Sequence, residues 1–143
     1  MLEAVLDTNV FVSGTVSSSG APHLVLEAWR KGAFAIVTSP PILEEIRRVF
    51  QYPRIARVYG IDATTAGKIL ARLEKYSIIV PGSVEVDVIH EDPADNMFLA
   101  SASEAQADYL VTGDEHLLGL RSFEGTAIVS PRYFMGILEA RNE

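Results

Sequence analysis

Four acidic motifs lie far apart in this 143-residue chain, and each follows an apolar run or falls early in a helix-like segment. Their central residues are Asp7, Glu45, Asp95 and Asp114. Carboxylates that are brought together repel one another, and proteins usually hold such a cluster together with a bound divalent cation. The motifs therefore predict a metal site, provided that the fold brings them to one place.

The apolar segments of the chain alternate with helix-like segments. Strand-like runs occupy residues 2–6, 34–37, 77–80, 109–111 and 127–129. Helical patterns occupy residues 22–31, 40–52, 93–105 and 131–140, with a short basic turn at 54–59 and a further helix capped by Asp62. This alternation predicts an α/β fold with three layers, α/β/α, around a central, mostly parallel twisted sheet of about five strands. Residues 84–89 alternate valines with acids, which suits either an exposed edge strand or an extended loop.

Asp7 and Asp114 are placed where open parallel sheets bind ligands. Asp7 directly follows the first strand, and Asp114 follows the strand at 109–111 after a two-residue turn. Ligands bind beyond the carboxyl ends of such strands, so both side chains are predicted to lie at that rim. Either residue taken alone also suits a simpler role as a helix N-cap or Asx turn.

Helical geometry separates Glu45 from its neighbour Glu44. At about 100° per residue, Glu45 flanks the apolar stripe of its helix while Glu44 lies nearly opposite it. We therefore expect Glu44 to be solvated and Glu45 to point across the edge of the core into a cleft. An i to i+3 pair between Glu45 and Arg48, worth about 0.3 kcal/mol, is the alternative.

The same contrast applies to Asp92 and Asp95. Asp92 precedes Pro93, which favours the first position of a helix, so Asp92 is predicted to be the N-cap and to assist the site indirectly. Asp95 then falls in the first turn, near the edge of the apolar stripe, and is predicted to be a ligand. Asn96 is expected to face outward.

Composition excludes several classes of protein. The chain is 48% hydrophobic, which excludes general disorder, and it has no cysteine for disulfide or thiolate chemistry. No apolar stretch approaches the roughly 20 residues that cross a bilayer, and the N-terminal residues do not resemble a signal peptide, so a cytoplasmic protein is expected. The three histidines have no ligand-like spacing, whereas carboxylate ligands suit Mg²⁺ or Mn²⁺.

Taken together, the motifs resemble the PIN-domain ribonucleases, most closely the VapC-like toxin components of toxin–antitoxin pairs. The resemblance rests on VLDTN at residues 5–9, ADYLVTGD at 107–114 and VSP at 129–131, together with the acidic motifs between them. It implies a single domain over residues 1–143. It also assigns Asp7, Glu45, Asp95 and Asp114 as the catalytic, metal-binding quartet, with Asn9, Thr112 and Asp92 as accessories.

The activity implied by the resemblance is hydrolysis of RNA phosphodiester bonds with one or two Mg²⁺ or Mn²⁺ ions. It further implies a small antitoxin partner and a homodimer, whose surface would come from Val84, Val86 and Val88 or from the helices around residues 21–30 and 54–76. Near Tyr52 lies a group of basic side chains, which we interpret as contacts to RNA or to the partner, or as an ordinary solvated face: Arg47, Arg48, Arg54 and Arg57.

Two other functions compete with this interpretation. A phosphatase with an aspartyl nucleophile would also place Asp7 after the first strand, but it requires a second acid two residues later, where this chain has Asn9. A non-catalytic PIN-like module that binds RNA or protein would use the four acids only as caps.

Overall fold

The computed structural model describes residues 1–141, and its centre is a six-stranded sheet. The strands are β1 (Glu3–Leu6), β2 (Ala35–Thr38), β3 (Ile78–Ile79), β4 (Tyr109–Val111), β5 (Ser122–Phe123) and β6 (Thr126–Val129). Their order is β3-β2-β1-β4-β6-β5, and all neighbours are parallel except β5 and β6. The predicted three-layer α/β/α fold is confirmed, with six strands where about five were expected.

Helices connect the strands, and polar caps fix where several of them begin. They are α1 (Thr8–Val16), α2 (Ala21–Arg30), α3 (Pro40–Phe50), α4 (Pro53–Val58), α5 (Ala63–Tyr76), α6 (Asn96–Ala105), α7 (Glu115–Leu118) and α8 (Pro131–Arg141). Asp62 caps α5 as predicted, since its Oδ1 accepts a hydrogen bond from the Thr65 N–H at 2.7 Å. None of the helices in residues 1–141 is both long and apolar enough to cross a membrane.

The central strands β1 and β4 carry the most deeply buried part of the core. Val5 and Leu110 face each other across the two strands, and both are fully buried. Such apolar runs are typical of parallel strands that are covered on both faces. Gly14 lets α1 approach α2 closely, because a Cβ at that position would lie 2.5 Å from the Pro22 carbonyl oxygen.

Residues 84–89 form an extended loop rather than an edge strand. Two side chains of α6 accept hydrogen bonds from backbone N–H groups in and just before this loop. Glu104 accepts hydrogen bonds from Gly82 and Val84 at 3.2 and 2.8 Å, and Asn96 Oδ1 accepts from Val88 and Ile89 at 3.0 and 2.8 Å. Of the two alternatives, the extended loop is therefore correct. An edge strand would pair its backbone with another strand, whereas here side chains of α6 accept the backbone hydrogen bonds.

Two local expectations for the helix starts need correction. Asn96 is buried and binds the loop backbone, so the expectation that it faces outward was wrong. The segment at 93–105 is not α-helical throughout, since a 3₁₀ turn over Pro93–Asp95 precedes α6. Ser39 occupies the N-cap position of α3 but makes no capping hydrogen bond; its hydroxyl instead accepts one from Ser101 at 2.9 Å.

Candidate active site

Two neighbouring strands bring Asp7 and Thr112 side by side at the rim of the sheet. Leu6 at the end of β1 is in register with Val111 at the end of β4. The pairing continues for one more step, because the Asp7 N–H donates to the Val111 carbonyl at 3.1 Å. Asp7 is only 5% exposed, so the carboxylate that follows β1 is held at the boundary between the core and the rim.

Both oxygens of the Asp7 carboxylate accept hydrogen bonds. Oδ1 accepts from the Val10 N–H at 2.8 Å and so caps α1, while Oδ2 accepts from the Thr112 hydroxyl. The Thr112 Oγ1 in turn accepts from the Asp114 N–H at 3.0 Å. Thr112 therefore connects the carboxylate after β1 with the loop after β4. The sequence left helix capping and a position at the rim as alternatives for Asp7. In the structure Asp7 does both.

Asp114 has the same double placement. Its Oδ1 caps α7 by accepting hydrogen bonds from the His116 and Leu117 N–H groups at 2.8 and 3.1 Å. The side chain remains half-buried at the carboxyl end of β4. Its position near Asp7 is reflected in the pKa of Asp7, which burial raises most and the charge of Asp114 raises further.

Glu45 is half-buried on α3, whereas Glu44 is exposed. The Arg47 Nε lies 3.8 Å from Glu44 Oε2, so the i to i+3 ion pair of this helix involves Glu44. Over the described residues no basic group lies within ion-pair distance of Glu45, and the alternative pairing with Arg48 is absent. Glu44 is thus solvated as expected and Glu45 lies on the more buried side of the helix, while its direction into a cleft stays a prediction.

Asp95 is the most perturbed acid of the group. It is 8% exposed, and its Oδ2 is buried with no hydrogen-bond partner within residues 1–141. Burial is the largest cause that raises its pKa to about 7, followed by the negative charges of Asp114, Asp92, Asp7 and Glu45. The charges of Asp7, Glu45 and Asp114 act on Asp95 from three other segments, so the structure places the other three predicted site carboxylates within electrostatic reach of Asp95.

The described residues fit a hard divalent cation in chemistry and charge. The donors are carboxylate oxygens, which Mg²⁺ and Mn²⁺ prefer, and the buried Asp95 Oδ2 lacks a partner that a cation would supply. Within residues 1–141, no three acidic or histidine side chains converge closely enough to coordinate an ion in their present positions. Coordination of one ion by several of these acids would therefore require their side chains to move closer together.

The accessory residues occupy different environments. Asp92 is exposed, and its Oδ1 accepts from the Ala94 N–H at 3.2 Å, which matches its expected capping role. Asn9 is exposed in the first turn of α1. Thr8 was missed by the sequence analysis: it is buried beside Asp7, and its hydroxyl has no partner among the described residues. A buried threonine directly after a site acid was the available signal.

The four arginines that follow Glu45 lie on α3 and α4. Arg47 and Arg48 are exposed on the second half of α3, and Arg54 and Arg57 are exposed on α4. Tyr52, at the junction between these helices, is also exposed. The structure therefore gathers the predicted basic group on two consecutive helices, the first of which also carries Glu45.

A family model for the PIN domain matches residues 3–116, which include every residue of the acidic quartet. This chain belongs to the PIN-domain family. The uncharacterized protein MJ1680 from Methanocaldococcus jannaschii is 31% identical over 120 residues, covering 84% of this chain and 76% of that protein. Members of the PIN family are nucleases, and they generally use divalent metals.

The PIN fold is also seen in a solved structure that is similar to this chain. The crystal structure of VapBC2 from Rickettsia felis, bound to a DNA fragment from their promoter, contains a chain that matches with a TM-score of 0.59. The match covers 90% of this PIN-domain chain and 98% of the other, at 15% sequence identity. At that identity the likeness shows the shared fold.

Proposed function

We propose that this protein is a metal-dependent endoribonuclease that hydrolyses RNA phosphodiester bonds as the toxin of a toxin–antitoxin module. It would act as a single domain over residues 1–143 in the cytoplasm. The observation that carries the proposal is the environment of Asp95, where burial and then the negative charges of Asp114, Asp92, Asp7 and Glu45 raise its pKa to about 7. Membership of the PIN-domain family supports the same conclusion.

We assign each carboxylate a role from its position. Asp7, Asp95 and Asp114 would hold the first Mg²⁺ or Mn²⁺ ion, and Glu45 on α3 would hold a second ion or orient the attacking water. When bound, the metal would supply an activated water and would offset the negative charge that develops on the phosphate during hydrolysis. Thr112 positions Asp7 through its hydroxyl, and Asn9 and Asp92 assist from the first turn of α1 and the cap before Asp95.

Adjacent glutamates provide a matched test of this site. Glu45→Gln is expected to lower Mn²⁺-dependent cleavage of a labelled RNA by roughly 100-fold, because even contacts outside the ligand set cost about 10- to 100-fold in metal sites. Glu44→Gln makes the same chemical change on the exposed side of α3 and should cleave as the wild type does. Asp7→Asn should abolish cleavage while far-ultraviolet circular dichroism shows that the fold is retained.

The result that contradicts this assignment is equally specific. Undiminished cleavage by clean Asp7→Asn protein would reject the metal-site function, and equal losses in Glu44→Gln and Glu45→Gln would reject the role given to Glu45. Absence of cleavage in the wild type with either Mg²⁺ or Mn²⁺ would favour a non-catalytic binding module. An aspartyl phosphatase is disfavoured because position 9 is Asn and both Asp7 oxygens are already engaged.

A small antitoxin protein is the proposed partner, and a groove between α1, α2 and α5 suits it. Two cavities of about 370 and 120 Å³ share Trp29, Arg30 and Arg72, and the smaller one also contacts Phe11 and Leu26. An apolar segment that carries acidic residues would complement this lining. Homodimer formation stays a prediction.

The protein encoded beside this gene is the natural candidate for that antitoxin. It should copurify with the wild type and inhibit cleavage, and Trp29→Ala should weaken the complex without changing the rate of cleavage. Failure of any neighbouring gene product to bind would remove the toxin–antitoxin role and leave an RNA-processing nuclease.

A further inference from the structure

Residues 46–61 form a basic surface in an otherwise acidic molecule. This segment contains four arginines and no acidic residue, which gives it a charge of +4 in a chain whose net charge is −7. Of the four, only Arg47 has an ion-pair partner within residues 1–141, at 3.8 Å. Arg54 and Arg57 are exposed without one. The charge is therefore available to an anionic partner.

Exposed aromatic rings lie among these arginines. Tyr52 is 55% exposed and Tyr59 is 49% exposed, and neither hydroxyl makes a hydrogen bond within the described residues. The helix between them, α4, has no buried residue. Its attachment to the fold comes from the half-buried Ile55 and Ala56 and from the Ile61 N–H, which donates to the Ala56 carbonyl at 3.0 Å. The tyrosines and arginines thus do not stabilise the core.

We propose that Arg48, Tyr52, Arg54, Arg57 and Tyr59 bind single-stranded RNA, with the arginines on phosphates and the tyrosines stacked on bases. This proposal rests on the proposed nuclease function. The basic surface would supply the route by which RNA, a polyanion, approaches an otherwise acidic protein. Arginine and exposed aromatic rings together are the combination that binds single strands without sequence preference.

The position of α3 connects this surface to the carboxylates. Glu45 lies in the second turn of α3, and Arg48 follows it by three residues, or about 4.5 Å along the helix axis. The chain then passes through Tyr52 directly into α4. RNA held at the carboxylates would therefore meet the basic surface within a few nucleotides.

A second copy of this chain is a less suitable occupant. In a two-fold symmetric contact the same surface meets itself, so arginines would face arginines. No acid lies between residues 46 and 61 to pair with them, and like charges opposed across an interface are unfavourable.

Binding can be tested separately from cleavage by using full-length Asp7→Asn protein in EDTA as the background. The probe is a fluorescein-labelled 14-nucleotide RNA of mixed sequence, and the measurement is fluorescence anisotropy over a range of KCl concentrations. Arg54→Gln with Arg57→Gln should raise Kd about 10-fold at low salt. It should also reduce the slope of log K against log salt by about 1.4, since each phosphate contact on a single strand contributes about 0.7.

A matched control removes two charges outside residues 46–61. Lys31 and Arg141 are exposed at the C-terminal ends of α2 and α8, so Lys31→Gln with Arg141→Gln should leave binding unchanged. Tyr52→Ala and Tyr59→Ala should each weaken binding about five-fold, the lower end of what a base stacked on an aromatic ring contributes.

Several outcomes would overturn the proposal. These are unchanged binding by the arginine variant, equal weakening by the control, or dissociation of a dimer in sedimentation by the arginine variant. Competition by polyglutamate together with normal binding by both tyrosine variants would instead assign the surface to an acidic protein. None of these results depends on cleavage, so they leave the nuclease function to be judged by its own test.

Discussion

The carboxylate of Asp7 accepts two hydrogen bonds, one from the first turn of α1 and one from Thr112. These bonds fix its direction but do not fully compensate for its burial, since its pKa remains raised. The same residue therefore ends a strand, caps a helix and retains an unfavourable negative charge at the rim. A bound cation would relieve that cost.

A matched pair of substitutions can distinguish the positioning role of Thr112 from its contribution to core stability. Thr112→Val leaves Asp7 Oδ2 and the Asp114 N–H without their shared partner and should destabilise the protein by about 1–3 kcal/mol. Thr126→Val removes another buried hydroxyl, which donates to the Ala107 carbonyl at 2.7 Å away from the site. Both should lower stability in urea unfolding, but only Thr112→Val should also lower RNA cleavage by the folded protein. Equal cleavage by the two variants would contradict a positioning role.

Asp95 is expected to make the metal-free protein less stable as pH rises. Its folded-state pKa is about 7 against an ordinary value of 3.8, so between about pH 4 and 7 the folded protein holds a proton that the unfolded chain has lost. The free energy of unfolding contributed by this group therefore falls across that window and stays low above it. Asp95→Asn removes the titrating group.

The measurement is urea unfolding in EDTA at several pH values, with the wild type and Asp95→Asn compared at each. The variant should gain stability relative to the wild type as pH increases from about 4 to 7. Glu44→Gln, which changes an exposed acid that is not among the charges acting on Asp95, serves as the control. A difference between wild type and Asp95→Asn that does not vary with pH would contradict the raised pKa.

At the scale of elements, α6 organises the segment that precedes it. Its first residue, Asn96, binds the backbone of Val88 and Ile89, and Glu104 near its end binds Gly82 and Val84. The long connection from β3 to the site is thereby held along one helix without any strand partner. Asp95 directly precedes this helix, so the loop and the site acid share one support.

Replacing Asn96 should loosen this loop. Asn96→Ala removes hydrogen bonds to Val88, Ile89 and Pro93 and should destabilise the fold by about 3 kcal/mol, because several buried backbone groups lose their partner. Amide exchange at Val88 and Ile89 should accelerate, while exchange in α8 at the far side should change only with global stability. Unchanged protection at Val88 and Ile89 would show that the amide does not hold the loop.

The parallel strands and their helices could be predicted because apolar runs and caps are local signals. Asp62, Asp92 and the stripe beside Glu45 all follow from spacing within one helix. The two-residue strand β5 could not, because Ser122 and Phe123 pair with β6 only through a tight turn at Gly125, where φ is +88°. Asn96 was misplaced for a similar reason: its partners include Val88 and Ile89, and tertiary contacts determine which hydrogen bonds it makes.

For the site, the choice of catalytic acids stays a prediction. The structure shows that Glu45 and Asp95 are more buried than Glu44 and Asp92, as helix geometry indicated. The orientation of each carboxylate depends on hydrogen bonds such as that from Thr112 to Asp7, which joins residues 105 positions apart. Such a contact has no local sequence signal.

On the scale of the whole molecule, charge separates into an acidic site and a basic surface. A cation that binds only the folded protein stabilises it by mass action, so Mn²⁺ at 100 times its Kd should add about 2.7 kcal/mol to the free energy of unfolding. Thermal unfolding of the wild type should therefore shift upward with Mn²⁺, and the shift should be smaller at pH 5.5 than at pH 8 because protons compete at Asp95. KCl at equal ionic strength is the control, and an equal shift in Asp7→Asn would place the ion elsewhere.

The central position of β4 has a consequence for biosynthesis. Asp7 is synthesised 105 residues before its hydroxyl partner Thr112, which lies on the loop after a strand inserted between β1 and β6. The acidic site cannot assemble until Asp114 has left the ribosome and that strand has paired with its neighbours. A chain terminated before Asp114 would therefore be inert, and the cell meets the complete set of acids only after this whole segment has been made.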